Sequence, residues 1–416
     1  MKLPWRILVM MMAVMLVVAA CGTGGTGEAT GGASEPAETA DGGGASPDET
    51  DGGGESPDAT DGGTAATGCG VEELGGSPAE VEFQLQWVPQ AQFAGYFAAQ
   101  DLGFYEEAGL DVTILEGGPD IAPQQVVADP NGPEFGEAWV PKVLVAREEG
   151  ADLVNIAQVF QRSGTVEVSW ADEGITTPED WAGKRVGAWG FGNEYEVVAA
   201  ARQAGLEPGE DFELVTQPFD MSLLLNREIH AAEAMTYNEL AQVLESVNPE
   251  TDELYTLDDL TIIDFNEVGT AMLQDHVIAR ESWLAEETNG VSNELIATCF
   301  LQASFRGWLH CRANPDECVD ITLNQGTILG EGHQHWMMNE INALIWPSEN
   351  GIGMLDEELW QQTVDIALES EIITEEPDEA AYRTDLAEAA LAGLEGEDTE
   401  GADVEKAQVE VPLGGE

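Results

Sequence analysis

Basic side chains are nearly missing from this chain. Fourteen Lys and Arg stand against 80 Asp and Glu, for a formal net charge of −66. That balance excludes nucleic acid as a partner, because phosphate binding needs clustered Lys and Arg. Anionic lipid headgroups are disfavoured for the same reason. The acidity runs through the whole chain, as on a solvated surface suited to high salt, where screening weakens self-repulsion. A cation-binding surface is the other reading. Cysteine is also scarce, with five in 416 residues. No CxxC pair occurs, and His333-x-His335 has no second pair of ligands near it in sequence, so no metal is expected. A P-loop, an HExxH zinc motif and a nucleophile elbow are likewise missing. No cofactor is expected either.

What is present begins at the first residues. Lys2 and Arg6 precede an apolar run, Ile7 to Ala20, that ends in Val18-Ala19-Ala20-Cys21. A charged start, a short apolar core and small residues at the end describe a secretory signal over 1–20. The run falls short of the roughly 20 apolar residues a spanning helix needs. Cys21 directly after Ala19-Ala20 resembles a bacterial lipobox. The resemblance implies cleavage before Cys21 and a lipid on its sulfur. The mature protein is then expected outside the cytoplasm, anchored to the cell membrane. From Gly22 to about Gly68 there is no Lys, no Arg and no aromatic residue, and Asp41-Gly-Gly-Gly-Ala-Ser-Pro-Asp48 recurs as Asp51-Gly-Gly-Gly-Glu-Ser-Pro-Asp58. Such a segment cannot bury enough apolar surface to offset its ordering entropy. Residues 21–68 read as a disordered acidic linker spanning about 40 Å.

The rest is long enough for two domains. Val81 to Trp87 alternates as a strand, and Pro89 to Ala98 leads into a helix ending near Leu102. Leu110–Leu115, Glu134–Gly136 and Leu153–Phe160 read as strands, with a helix over Trp139–Glu149. A second series follows. It has strands at Lys184–Trp189, Phe212–Gln217, Ala231–Met235, Thr261–Ile263 and Val277–Ala279, with a helix over Asn193–Gly205. Met221–Asn226 continues the alternation. Helical stretches come at Asn293–His310, Glu331–Ile345 and Glu357–Ser370. The acidic tail, 396–416, is expected to fray. Alternation of this kind indicates an α/β fold. Cys311 and Cys318 flank a turn-like stretch with Pro315, which suits a local disulfide in an oxidising compartment. Cys69 would then pair with Cys299.

Trp87-Val-Pro-Gln-Ala-Gln-Phe-Ala-Gly-Tyr-Phe-Ala-Ala99, followed by Gly103-Phe-Tyr-Glu-Glu-Ala-Gly-Leu-Asp-Val-Thr-Ile114, resembles the opening of solute-binding proteins of ABC importers. The similar subgroup serves thiamine-pyrimidine precursors, riboflavin, nitrate, sulfonates and taurine. The resemblance continues through Phe135-Gly136, Trp181-Ala-Gly-Lys-Arg-Val-Gly187, Asp220–Asn226 and Ala234–Glu239. It implies a type II periplasmic-binding fold, two α/β lobes joined by two crossing strands. Lobe 1 is expected at 80–164 plus 273–395 and lobe 2 at 165–272, with crossings near Gln161–Ser169 and Val268–His276. It also implies a monomer that hands a small molecule to a permease and its ATPase. Fungal thiamine-pyrimidine synthases share the fold and opening. They use a histidine and a cysteine-rich iron motif, of which this chain shows neither in its cleft loops, so no enzyme is expected. A ligand-sensing ectodomain would need a separate partner.

Ligands of open α/β sheets bind beyond the carboxyl ends of strands. That rule selects Trp87, Gln90, Gln92, Phe93 and Tyr96, then Gly118, Asp120 and Gln161. It further selects Trp189, Gly190, Gly192, Asn193 and Glu194, and lastly Tyr237, Asn238 and Glu239. Trp87 and Tyr96 are either cleft rings or core aromatics. The glycines permit close backbone approach at a helix start, and the spacing is wrong for a dinucleotide fingerprint. Glu194 is either a favourable first-turn charge or a ligand acceptor. Tyr237 and Asn238 have packing and capping as their alternative roles. These loops hold aromatic rings, amides and carboxylates and no Lys or Arg. They suit a flat, neutral or weakly cationic heterocycle, with Trp87 and Trp189 on opposite sides of its ring; a nitrate, sulfonate or taurine ligand is the alternative.

Overall fold

Val81 and Phe83 alternate with polar residues and are buried, and the strand they make pairs in parallel with a neighbour along each of its edges. The computed structural model describes residues 68–328 and 330–415. The signal segment, Cys21 and the linker up to Thr67 lie outside the described residues. Strands β1 (Ala79–Gln84), β2 (Leu110–Leu115), β3 (Phe135–Ala138) and β4 (Leu153–Gln158) open the first sheet. Strands β5 (Thr165–Trp170), β6 (Arg185–Ala188), β7 (Glu213–Thr216), β8 (Ala231–Met235) and β9 (Leu260–Asp264) form the second. Strand β10 (His276–Arg280) returns to the first. The orders are β2-β1-β3-β10-β4 and β9-β5-β8-β6-β7. Strand β10 runs antiparallel between β3 and β4, and β5 runs antiparallel to β8 and β9. Each lobe thus receives one strand beyond a crossing, the arrangement of a type II periplasmic-binding fold.

The first connection is residues 159–164, shorter than the Gln161–Ser169 expected, because Thr165 already pairs with Met235 in the second sheet. The return is residues 265–275. The two connections are tied together: Val159 and Phe160 N–H donate to the Asp275 carbonyl, and Gly164 N–H donates to Gln274 Oε1.

Helix packing explains the glycine of the opening motif. The helix Ala94–Asp101 lies against the helix Asn293–Ala313. A Cβ on Gly95 would sit 2.1 Å from the Trp308 ring, and one on Gly307 would sit 1.9 Å from the Gly95 carbonyl. The lobe 1 core forms around this crossing, with Phe83, Phe135 and Phe300 buried.

Cys69 is bonded to Cys299, and Cys311 to Cys318, each with Cα atoms 5.4 Å apart. The stretch between Cys311 and Cys318 is not the turn its composition suggests. It is a helix junction, broken at Asn314, between Asn293–Ala313 and Pro315–Asn324. Met221–Asn226 contains a short helix, Ser222–Leu225. The tail does not fray. Val404 packs on the lobe 1 core, Val409 and Val411 pack on the lobe 2 core, and Lys406 Nζ lies 2.5 Å from the buried Glu340 carboxylate. Those apolar residues and the lone cation sit among acids, so composition alone hides the docking. The helix Glu331–Ile345 also meets both lobes: Trp336 joins the lobe 2 core, while Met337 and Ile341 join that of lobe 1. Among the described residues no helix is long and apolar enough to cross a membrane.

Candidate functional site

Strand ends of the two sheets face each other across a cleft of about 640 Å³. Beyond β1 the chain passes Gln86, Trp87 and Pro89 into a single 3₁₀ turn, Ala91–Phe93. Ala91 N–H donates to Gln334 Oε1 at 2.7 Å and fixes that turn. Trp87, Gln90, Gln92, Gly118, Asp120, Trp189, Asn193, Tyr237, Asn238 and Glu239 line the cleft.

Six expected positions do not line it. Phe93 and Tyr96 turn into the lobe 1 core, where the Tyr96 ring lies 4.5 Å from Phe83 and 5.6 Å from Trp308. The helix Ala94–Asp101 buries Tyr96 against Asn293–Ala313, and Phe93 in the turn before it packs into the same core, which a strand-end rule does not foresee. Gln161 serves the connection between lobes, donating from Nε2 to the carbonyls of Gln158 and Met354. Glu194 accepts the Gly192 N–H at 2.8 Å and closes its own loop. Gly190 and Gly192 shape that loop, with Gly192 at φ 87°. Its neighbours Phe191 and Asn193 are the ones that reach the cleft.

Other residues arrive from segments the strand-end reading passed over. Asp275, at the end of the return connection, is the centre of a hydrogen-bond cluster. Its Oδ1 accepts from Gln86 Nε2 at 2.5 Å and Trp139 Nε1 at 2.7 Å, and its Oδ2 accepts from Gln92 Nε2 at 2.6 Å. Lys142, at the start of the helix after β3, also lines the cleft. This corrects the expectation of a cleft without Lys or Arg. Lys142 and Trp139 follow a strand end, so that rule would have reached them had it been applied to β3. Asp275 carries no such signal, since its partners are more than 130 residues distant in sequence.

Two exposed aromatics complete the walls. Phe219 lies 4.7 Å from Trp87 and 6.1 Å from Trp189, nearly parallel to the latter at 21°. The two tryptophans expected to flank a ligand ring both touch this side chain. Trp189 is held by its N–H to Glu233 Oε2 at 2.7 Å and by its indole N–H to the Pro218 carbonyl at 3.2 Å. Phe191 is 93% exposed at φ 65°, a left-handed conformation unusual for an aromatic residue.

Burial dominates the electrostatics. It pushes Asp275 up to about 6, opposed by the bonds from Gln92, Trp139 and Gln86 and by Lys142. It pushes Glu239 up to about 7, opposed by the Met235 N–H. Lys142 is pushed down to about 8 by burial, while Asp275, Glu233 and Glu194 favour its charge. Its Nζ donates to Asn193 Oδ1 at 2.6 Å, a contact between lobes. Among the described residues, the one cation of the cleft lining therefore already has acidic side chains near it and a hydrogen bond to Asn193. Asn238 is taken up as well: Nδ2 donates to Glu239, and Oδ1 lies 3.0 Å from His333 Nε2. Among the described residues no group of three or more His, Cys, Asp or Glu is placed to hold a metal ion.

Comparison with known proteins identifies the family and the fold. The family model described as NMT1/THI5 like matches residues 90–318. The chain is 24% identical to the riboflavin-binding protein RibY of Chloroflexus aurantiacus, over 68% of this chain and 79% of that one. It is 25% identical to the formylaminopyrimidine-binding protein of Halalkalibacterium halodurans, over 68% and 83%. Among solved structures, the periplasmic aliphatic sulphonate binding protein SsuA of Escherichia coli superposes with a TM-score of 0.54. That match is at 16% identity and covers 73% of this chain and 91% of that one, a likeness of fold.

Proposed function

The chain belongs to the NMT1/THI5-like family, and on that premise we propose that it is an extracytoplasmic solute-binding lipoprotein of an ABC importer. It captures a small planar heterocycle, a thiamine-pyrimidine precursor or riboflavin, and delivers it to a permease. The observation that carries this reading is the cleft itself. Aromatic faces from Trp87, Trp189, Phe219 and Tyr237 combine with a buried amide–carboxylate cluster around Asp275. Planar heterocycles need stacking walls and a few fixed donors and acceptors. An anionic ligand is disfavoured, because Lys142 stands among Asp275, Glu194 and Glu233 and already donates to Asn193. The names of two relatives, riboflavin-binding and formylaminopyrimidine-binding, support the same ligand class. A synthase role is disfavoured, because Cys69, Cys299, Cys311 and Cys318 are all held in disulfides. Anchoring through Cys21 lies outside the described residues and is part of the proposal.

Titration with thiamine pyrimidines, riboflavin, nitrate and taurine, followed by tryptophan fluorescence, tests it. A heterocycle is expected to bind and quench. Trp87→Ala is expected to weaken it by about 1–3 kcal/mol, by analogy with base–aromatic stacking. Tight binding of taurine or nitrate with no response to either heterocycle overturns the ligand reading.

A further inference from the structure

Gln90 lines the cleft at 1% exposure, and no donor among the described residues reaches its Oε1. A side-chain amide can present either its oxygen or its NH₂, and the choice follows from its other hydrogen bonds. Here that choice is made at Asp275. The indole N–H of Trp139 can only donate, so Asp275 Oδ1 must accept. The ionised carboxylate is acceptor-only, so Gln92 must turn its Nε2 toward Oδ2. Gln92 Oε1 then faces Gln90, which donates from Nε2 at 2.7 Å. The oxygen of Gln90 is left over, buried and without a donor.

We infer that Gln90 Oε1 is the specificity-determining acceptor for an N–H group of the ligand, an exocyclic amine or a ring imide, and that Asp275 sets its polarity through Gln92. The inference rests on the heterocycle reading of the cleft. Asp275 is a positioning residue here, acting on the ligand through two amides. The arrangement rejects a ligand edge that offers only lone pairs, since two acceptors would then face each other out of reach of water. It also links recognition to the connection between lobes, because the Asp275 carbonyl holds Val159 and Phe160 N–H.

Isothermal titration with matched ligand pairs tests this. One pair is riboflavin and 3-methylriboflavin. The other is 4-amino-5-hydroxymethyl-2-methylpyrimidine and its 4-dimethylamino counterpart. Within the pair that binds, the N-methylated member is expected to be weaker by about 100-fold or more, as for a site built to pair a ligand N–H. Gln90→Met keeps the bulk and removes the acceptor, so the difference within the pair should fall below about tenfold. D275N supplies an independent arm. An amide there can donate to Gln92 and reverse the chain, so the preference should shrink with Gln90 intact. Equal binding of both members by the native chain overturns the inference and leaves the heterocycle reading standing. A preference retained in both variants shows that bulk, not pairing, decides, and also overturns it. Failure of both pairs to bind overturns the heterocycle reading and this inference with it.

Discussion

Glu196 sits where the two connections meet, accepting from Ser163 Oγ at 2.8 Å and from Met272 N–H at 2.6 Å. Burial still pushes it up to about 8 from an ordinary 4.5. The unfolded chain ionises this group near 4.5, while the folded chain keeps its proton to about 8. Its contribution to stability is therefore full below the lower value and is lost as pH rises through the interval. Each pH unit crossed removes about 1.4 kcal/mol for such a group. Glu137, Glu167 and Glu233 are displaced upward too, in each case chiefly by burial. His276 works in the opposite sense, pushed down to about 4 by burial, but its effect ends at its ordinary 6.5. Denaturant midpoints at fixed salt are thus expected to fall between about pH 6.5 and 8, the interval between those two values. Glu167 has no hydrogen-bond partner for either carboxylate oxygen among the described residues. Glu167→Gln should therefore raise the midpoint at about pH 8 more than at about pH 6.5, and a pH-independent effect counts against this account. None of this was legible from the residue types: Glu167 and Glu233 are register partners across β5 and β8, and both are buried only in the folded sheet.

At the scale of elements, the strands were readable because period-two alternation in Ala79–Gln84 and Leu110–Leu115 is a local property. The helix Glu331–Ile345 was readable in its bounds, but not in its role of touching both lobes. The docking of the tail has no local signature, because three valines and one lysine among acids give no periodic signal. Lys406 is half exposed and its partner Glu340 is buried. Lys406→Ala is expected to cost about 1–2 kcal/mol, less than the roughly 3–5 kcal/mol of a fully buried pair. Adding Glu340→Gln should recover most of that loss, because it removes the charge left without a partner. Thermal unfolding of the single and double variants decides it; equal loss in both would show that the tail acts through packing alone.

For the whole molecule, the net charge of −66 makes self-repulsion a general force against compactness. Between about 10 mM and 1 M salt the Debye length falls from about 30 Å to about 3 Å. The melting temperature is expected to rise over that range, and each kcal/mol recovered raises it by no more than about 2–4 °C in a body of this size. A flat profile would show that the acids are spaced widely enough not to interact. Ligand binding acts at this scale as well. Lys142 reaches Asn193, and Phe219 touches Trp87, so the lobes already meet at the cleft rim. A ligand that gains contacts from both sides shifts the population toward closure.

The sequence by itself determined the α/β class, the two-lobed binding fold and the family, because alternation, strand-end loops and the Trp87–Ala99 opening are local patterns. It also pointed to Trp87, Gln90, Gln92, Trp189 and Tyr237, which follow or end strands. Only the tertiary structure decided that Phe93 and Tyr96 face the core, that Lys142 enters the cleft, and that Asp275 organises it. The reason is physical. A strand end locates a loop, but the direction of each side chain depends on what packs behind it. Here the helix Asn293–Ala313 packs close at Gly95 and Gly307 and takes one face of the opening helix. Asp275 gains its partners from the segment after β1, the opening turn and the helix after β3, which only the crossing between lobes brings together.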